Sequence, residues 1–307
     1  LAPDRSAGPH GVLLLDKPAG ITSTRALAKA KRLLGSLKGG HTGTLDPFAT
    51  GLLPLVFGEA TKFSRFLIDS HKTYLATLRL GEETETGDTE SPVSKKADVE
   101  INSQKIEEVL QGLRGSQEQI PPMHSAVHVD GRRLYEYARA GEQVLRPTRR
   151  IEIDELVPLG REGNDLRIRV ACSKGTYIRT LAQDIGARLG CGAHLIALRR
   201  LTVGGFELAD AVTFEALEQE GQEAARRRLL APEVLVAGLV RFEATPEEAD
   251  HFVHGRMMQR RGGAEREEVA VFAPGGRFLG VGLCEGEARV APLRLMTTVS
   301  TKSPDFA

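Results

Sequence analysis

Apolar residues along this chain fall into two rhythms. Gly11-Val12-Leu13-Leu14-Leu15-Asp16-Lys17-Pro18 is a short unbroken apolar run stopped by a turn, a pattern that predicts a buried strand. Residues 72–80 alternate and stop at Gly81, predicting a second strand, and residues 151–159 and 165–172 predict two more. Helical spacing instead links Ala26, Leu27, Ala30, Leu33 and Leu34, with Ser23 expected as the cap and Gly35 as the stop. The opposite face, Arg25, Lys29 and Arg32, reads as solvated. Ile106, Val109, Leu110 and Leu113 mark another helix. Ile178, Leu181, Ala182 and Ile185 form the buried stripe of a third, residues 177–189, closed by Gly190.

Between these elements, residues 82–90 read as an acidic turn, and Asp130-Gly131 is a hairpin signal between Val127-His128-Val129 and Arg133-Leu134. Residues 214–230 predict a charged helix and residues 232–240 a connector. Beyond it, Thr245-Pro246-Glu247-Glu248 gives an N-cap, a proline in the first turn and acids at the positive end of the helix dipole. Residues 268–273, a Pro274-Gly275-Gly276 turn and residues 277–283 read as strand, turn and strand. The expectation is a larger unit over residues 1–240, with an insertion at about 121–150, and a small β-rich domain over 241–307.

At 307 residues, 41% hydrophobic and 27% charged, the chain has the make-up of a soluble two-domain protein, and no apolar run approaches the ~18 residues of a membrane span. Residues 1–10 lack a basic-then-apolar leader layout, and Cys172, Cys191 and Cys284 are few and far apart. A cytosolic protein with neither a disulfide framework nor a thiolate metal site is expected. The net charge is zero but segregated: +5 over residues 1–72, −5 over 73–120, +4 over 121–209 and −4 over 210–307. Two basic blocks on one face would track phosphates; patchy charge on a solvated surface gives the same pattern.

The residues for chemistry centre on Gly40-His41-Thr42-Gly43-Thr44-Leu45-Asp46-Pro47-Phe48-Ala49-Thr50-Gly51-Leu52-Leu53-Pro54. Its glycines and prolines predict a rigid loop, with Leu45, Phe48, Leu52 and Leu53 packed inward and the glycines letting another backbone come close. Asp46 is then a partly desolvated carboxylate in need of a partner; an Asx turn before proline explains the same dipeptide. No His-Glu-x-x-His, Walker-type loop or Gly-x-Gly-x-x-Gly is present, so chemistry without metal or cofactor is expected. Arg179 falls in the first turn of its helix, where the dipole disfavours a cation and an anion would hold it. Asp46 is one candidate for that anion; a surface arginine beside an unrelated turn is the other reading. Tyr74 and Tyr177 suit either rim packing or stacking on a base.

Four segments carry a resemblance: residues 11–18, the Asp46 loop, Leu134-Tyr135-Glu136-Tyr137-Ala138-Arg139, and Cys172-Ser173-Lys174-Gly175-Thr176-Tyr177-Ile178-Arg179-Thr180. In order and spacing they closely resemble the TruB family of tRNA pseudouridine synthases over about residues 11–208. Residues 268–295 look, more loosely, like that family's PUA-type RNA-binding domain, and Val127-His128-Val129 lacks the lysine often found just there. The resemblance implies an α+β pseudouridine synthase fold with a mixed, mainly antiparallel sheet flanked by helices and loops, plus the small β-rich PUA-like domain. It implies a cofactor-free isomerase acting on uridine 55 in the T-loop of tRNA, with the base flipped out of its stack.

Residue by residue, the resemblance makes Asp46 the nucleophile, Arg179 its partner, and Tyr74 the residue that stacks on the base and takes the C5 proton. Tyr177 and Leu198 line the uracil pocket, and His41 wedges into the space left by extruded nucleotides. Lys17, Arg139, Arg146, Arg149 and Arg150 are expected phosphate contacts. A monomer needing no membrane and no obligatory protein partner follows. A guide-RNA-dependent, dyskerin-like synthase and a tRNA chaperone without turnover are the alternatives. An N-glycosidase is disfavoured because no second acid is expected beside the loop.

Overall fold

The apolar run at residues 11–17 is continuous because its strand is buried on both faces. In the computed structural model, which describes residues 8–259, 266–286 and 289–297, strand β1 (Gly11–Lys17) sends Leu13 and Leu15 into one hydrophobic cluster and Val12 and Leu14 into another. The leader expectation for residues 1–7 and the end of the C-terminal domain, residues 298–307, lie outside the described residues. Helix α1 (Ser23–Leu34) follows as expected and stops at Gly35 in the left-handed region, φ 61°. Its cap is Thr22, whose side chain accepts from the Arg25 N–H, and not Ser23, whose hydroxyl turns inward. After β2 (Gly39–His41) and the Asp46 loop comes β3 (Thr50–Phe57), a strand where the sequence pattern showed only loop. Like β1 it is buried on both faces, with Leu53, Leu55 and Phe57 on one side and Leu52 and Val56 on the other.

The chain continues through α2 (Ser64–Ile68), β4 (Lys72–Leu80), the hairpin β5 (Glu82–Thr84) and β6 (Val93–Lys96), α3 (Ser103–Gln111) and β7 (Gly115–Gln119). The insertion holds the predicted hairpin, β8 (His128–Val129) and β9 (Arg132–Arg133), turned by Asp130 at φ 49° and Gly131 at φ 81°, and then α4 (Leu134–Arg139). Next come β10 (Arg149–Glu162), β11 (Asp165–Cys172), α5 (Ile178–Leu189), β12 (Ala193–Val203), β13 (Phe206–Glu207) and α6 (Phe214–Arg227). The predicted helix at 214–230 is shorter and broken at Gly221, φ 75° and ψ 170°.

Among the described residues, nine strands form the main sheet. Its path runs β1-β3-β12-β4-β11-β10-β7, with β2 and β13 pairing onto β3 and β12. Every pairing is antiparallel except β3 with β12, so the sheet is mixed and mainly antiparallel, as expected. One face is covered by α1, α3, α5 and α6 through Ala26, Leu110, Leu181 and Phe214.

A second sheet holds β14 (Val240–Glu243), β15 (Met258–Gln259), β16 (Glu268–Phe272), β17 (Phe278–Glu285) and β18 (Arg289–Leu295) in the order β14-β16-β17-β18-β15. Helix α7 (Pro246–Val253) packs on it, opened by the predicted N-cap Thr245, which also forms a reciprocal capping box with Glu248. The two sheets share a core: Val12, Leu14, Leu52, Val56, Phe63 and Leu67 pack with Phe272, Phe278 and Val281, and the Phe63 and Phe278 rings meet edge to face at 5.2 Å. Each such buried side chain contributes ~1.5–3 kcal/mol, so the second sheet is fixed to the first. No helix among the described residues is long and apolar enough to cross a membrane.

Candidate active site

The Asp46 loop is clamped from beneath on four sides. Ser23 Oγ donates to the Leu45 carbonyl at 2.9 Å and accepts from the Leu45 N–H at 2.8 Å. Thr42 donates its N–H and its hydroxyl to the Pro54 carbonyl. The Gly20 N–H reaches the Pro47 carbonyl at 2.8 Å. Arg200, buried to 1% exposure, donates Nε to the Leu52 carbonyl at 2.7 Å and Nη2 to the Gly43 carbonyl at 3.2 Å. A Cβ on Gly51, φ +102°, would stand 2.3 Å from the Arg200 carbonyl, so this glycine serves the close passage of β12 and not the approach of a ligand.

Lys17 belongs to the same framework. The expected phosphate contact is fully buried, with its ammonium hydrogen-bonded to the carbonyls of Pro18, Ile21 and Pro47. Burial pushes this amine down to about 8, with Asp46 pulling back and Arg200 pushing further. It fastens the end of β1 to the loop and has nothing free for a phosphate.

Asp46 sits on this mount with about a third of its side chain open, and Arg179 grips it. The guanidinium brings Nε to 3.0 Å from Oδ2 and donates Nη2 to Oδ1 at 3.3 Å, a bidentate pair. Arg179 is 4% exposed and stands in the first turn of α5, where two acids offset the helix dipole. The second is Asp88, in the stretch read as an acidic turn. Its Oδ2 lies 3.4 Å from Nη1 of Arg179, while Oδ1 accepts from the Thr86 hydroxyl at 2.5 Å and the Glu90 N–H at 2.9 Å. Arg179 also donates to the carbonyls of Thr86 and, from the insertion, His124.

A second acid therefore does accompany the loop, against expectation. Asp88 is fully buried and faces the other side of the same guanidinium, so it cannot activate water as a glycosidase base would. Nothing in the sequence separates it from its exposed neighbours except the flanking Thr86 and Gly87. Burial pushes the Asp46 carboxyl above the ordinary aspartate value; Arg179 opposes the rise and Asp88 adds to it.

The remaining residues divide. Tyr74, 8% exposed on β4, stands directly opposite Arg200 on β12, and Leu198 stands opposite Ala76 in the same ladder. Tyr74 and Leu198 share a cluster with Leu45 and Ala49 of the loop. Tyr177 enters α5 with its N–H and carbonyl both bonded to the Gln119 side chain, and the Arg149 guanidinium lies 6.0 Å above its ring. His41 is half-buried with Nδ1 unpartnered; burial, then Arg200, lowers it, which keeps the ring neutral.

Arg139 is exposed and stacks on Tyr135, and Arg146 donates to the Pro121 carbonyl. Arg149 and Arg150 are consecutive in β10 and so point to opposite faces; Arg150 bonds Ser116, away from Tyr177. The structure does not bring Arg150 to this site. A cavity of about 460 Å³ lies beside the site, lined by Glu85, Pro122, His124, Arg146, Thr180 and Gln183.

Comparison with known proteins places the chain among the pseudouridylate synthases. Residues 31–178 match the model of the TruB family pseudouridylate synthase N-terminal domain. Residues 179–236 match the tRNA pseudouridylate synthase B C-terminal domain, and residues 243–296 match the C-terminal model of pseudouridine synthase II TruB. The chain belongs to the TruB family, and it is an isomerase with the α+β pseudouridine synthase fold. The tRNA pseudouridine synthase B of Aromatoleum aromaticum is 52% identical over 292 residues, covering 95% of this chain and 94% of its own. That of Pseudomonas putida is 45% identical over 290 residues, covering 93% and 95%. Among solved structures, a chain of the "Crystal Structure of a Cbf5-Nop10-Gar1 Complex" matches with a TM-score of 0.73 at 25% identity, covering 94% of this chain and 84% of that one.

Proposed function

We propose that this chain converts uridine 55 in the T-loop of tRNA to pseudouridine, with Asp46 as the nucleophile. The observation that carries the reading is the bidentate Asp46–Arg179 pair, which keeps one carboxylate charged and aimed. Isomerisation breaks the bond between N1 and the sugar, turns the base while it stays bound, and joins C5 to C1′. None of this can happen inside a stack, so the nucleotide is flipped out, at a cost of a few kcal/mol that a loop position reduces. The ionised carboxylate attacks an electrophilic carbon of the flipped nucleotide, C1′ of the ribose or C6 of the base. Tyr74 stacks on the base and takes the C5 proton, Leu198 and Tyr177 line the pocket, and neutral His41 fills the space left in the loop. Arg139, Arg146 and Arg149 supply phosphate contacts.

Residues 1–240 form the catalytic unit in this reading and residues 241–307 a PUA-like RNA-binding unit, in a cytosolic monomer. The test is Asp46→Asn with tRNA labelled by tritium at C5. The variant binds tRNA as the parent does and releases no tritium; retained release would refute the nucleophile. The likeness to the Cbf5 chain gives a second reading, in which a guide RNA and protein partners deliver the target. Turnover by the isolated chain on tRNA alone decides for the first; turnover only with guide RNA and partner proteins added decides for the second.

A further inference from the structure

Arg200 raises a question that loop support does not answer. Its guanidinium is buried, and no carboxylate among the described residues forms an ion pair with it. Burying a charge without a counter-charge is costly, and hydrogen bonds recover only part of that. The carbonyls of Leu52 and Gly43 require donors, which a neutral amide also provides, so the charge itself is unexplained.

Four titratable neighbours feel that charge. Lys17, His41 and Lys72 are each pushed further from their charged forms by it. Tyr74 is the exception: burial holds its phenol above the ordinary value, and the Arg200 charge draws it part of the way back. The Cα register sets the two side chains side by side on one face of the sheet, because Arg200 and Tyr74 are direct cross-strand partners. Gly51 locks the other side of Arg200, since its missing Cβ lets β3 pass against the Arg200 backbone.

We propose that Arg200 is a positioning residue for catalysis: set opposite Tyr74 and free of any acid, its guanidinium holds the Tyr74 oxygen ready to receive the C5 proton. This rests on the role given to Tyr74 under the proposed function. The phenol releases its proton to water under the guanidinium. After C5 has bonded to C1′, the C5–H bond breaks and its proton goes to the Tyr74 oxygen. The freed electron pair forms the C5–C6 double bond, the N1–C6 double-bond pair moves to N1, and N1 takes a proton from water. Tyr74 ends as the phenol it began as.

The experiment is single-turnover conversion of full-length tRNA carrying hydrogen or deuterium at C5 of the target uridine, with tRNA affinity measured alongside. Arg200→Gln slows conversion by about 100-fold and raises the C5 isotope effect above that of the parent, because proton removal becomes limiting. Where that variant does not fold, Arg200→Lys carries the test with a smaller slowing in the same direction. Replacing Tyr74 by the more acidic 3-fluorotyrosine in the Arg200→Lys background restores part of the rate. A slower variant with an unchanged isotope effect and no fluorotyrosine rescue makes Arg200 a loop support and overturns the proposal. Full turnover by Tyr74→Phe instead removes the role of Tyr74 itself, and the Arg200 proposal falls with it.

Discussion

Arg179 Nη1 lies 3.4 Å from Asp88 Oδ2, on the side of the guanidinium turned away from Asp46. One cation is thus shared between an acid at the open end of the site and an acid sealed beneath it. Asp88→Asn keeps the shape and removes the sealed charge. Arg179 keeps Asp46 and the carbonyls of Thr86 and His124 but loses the sealed carboxylate, and turnover falls by about 10–100-fold while tRNA affinity stays within about threefold. The same change takes a like charge away from Asp46, which lowers its carboxyl. The acid limb of kcat/KM therefore moves to lower pH, a shift that pH profiles of parent and variant measure directly.

Ser23 links α1 to the Asp46 loop through both polar groups of Leu45. Ser23→Ala leaves two buried backbone groups without partners, a loss of about 2 kcal/mol or more. Thermal unfolding falls by several degrees, and kcat drops more than KM rises, because the change acts on the placement of Asp46.

Gly51 and Gly141 both have positive φ but differ in surroundings. At Gly51 a methyl meets the Arg200 carbonyl at 2.3 Å, whereas at Gly141 nothing lies within 4 Å. Gly51→Ala costs at least about 3 kcal/mol and abolishes activity, while Gly141→Ala costs about 1 kcal/mol from backbone strain alone. Denaturant titrations of the two variants test the contrast.

Glu59 carries a pH-dependent share of stability. Burial raises its carboxyl, but hydrogen bonds from Lys62 and from the Thr297 N–H and hydroxyl outweigh that and hold it at about 2, below the ordinary 4.5. A depressed acid stabilises the fold above its ordinary value and loses that contribution as pH falls from about 4.5 to about 2. Glu59→Gln therefore costs on the order of 1–2 kcal/mol at pH 7, and the gap from the parent closes toward pH 2.

How far the sequence could be read depended on whether burial left a trace in residue type. Strands β1, β4 and β11 and helix α5 follow their periodicity because one face, or both, is mostly apolar. Strand β12 was invisible, since His194 and Arg200 look like surface residues yet are buried inside the sheet. Strand β3 was hidden by Gly51 and Pro54, which act as turn formers elsewhere. In the site, the Asp46–Arg179 pair was within reach because an arginine in a first helical turn asks for an anion. Asp88, Lys17 and Arg200 were not: a buried charge and a solvated one have the same letter, and only the fold distinguishes them.

The second sheet is welded to the first by the Phe63–Phe278 contact, the shared cluster around Val12 and Val281, the Arg65–Glu268 ion pair, and Lys62 and Glu59 on Leu295 and Thr297. The molecule is therefore a calliper with its jaws set. The span from Asp46 to any grip the second sheet provides is fixed before a substrate arrives. Where the second sheet grips RNA, as the proposed function has it, that fixed span favours an RNA whose own folded dimensions match it.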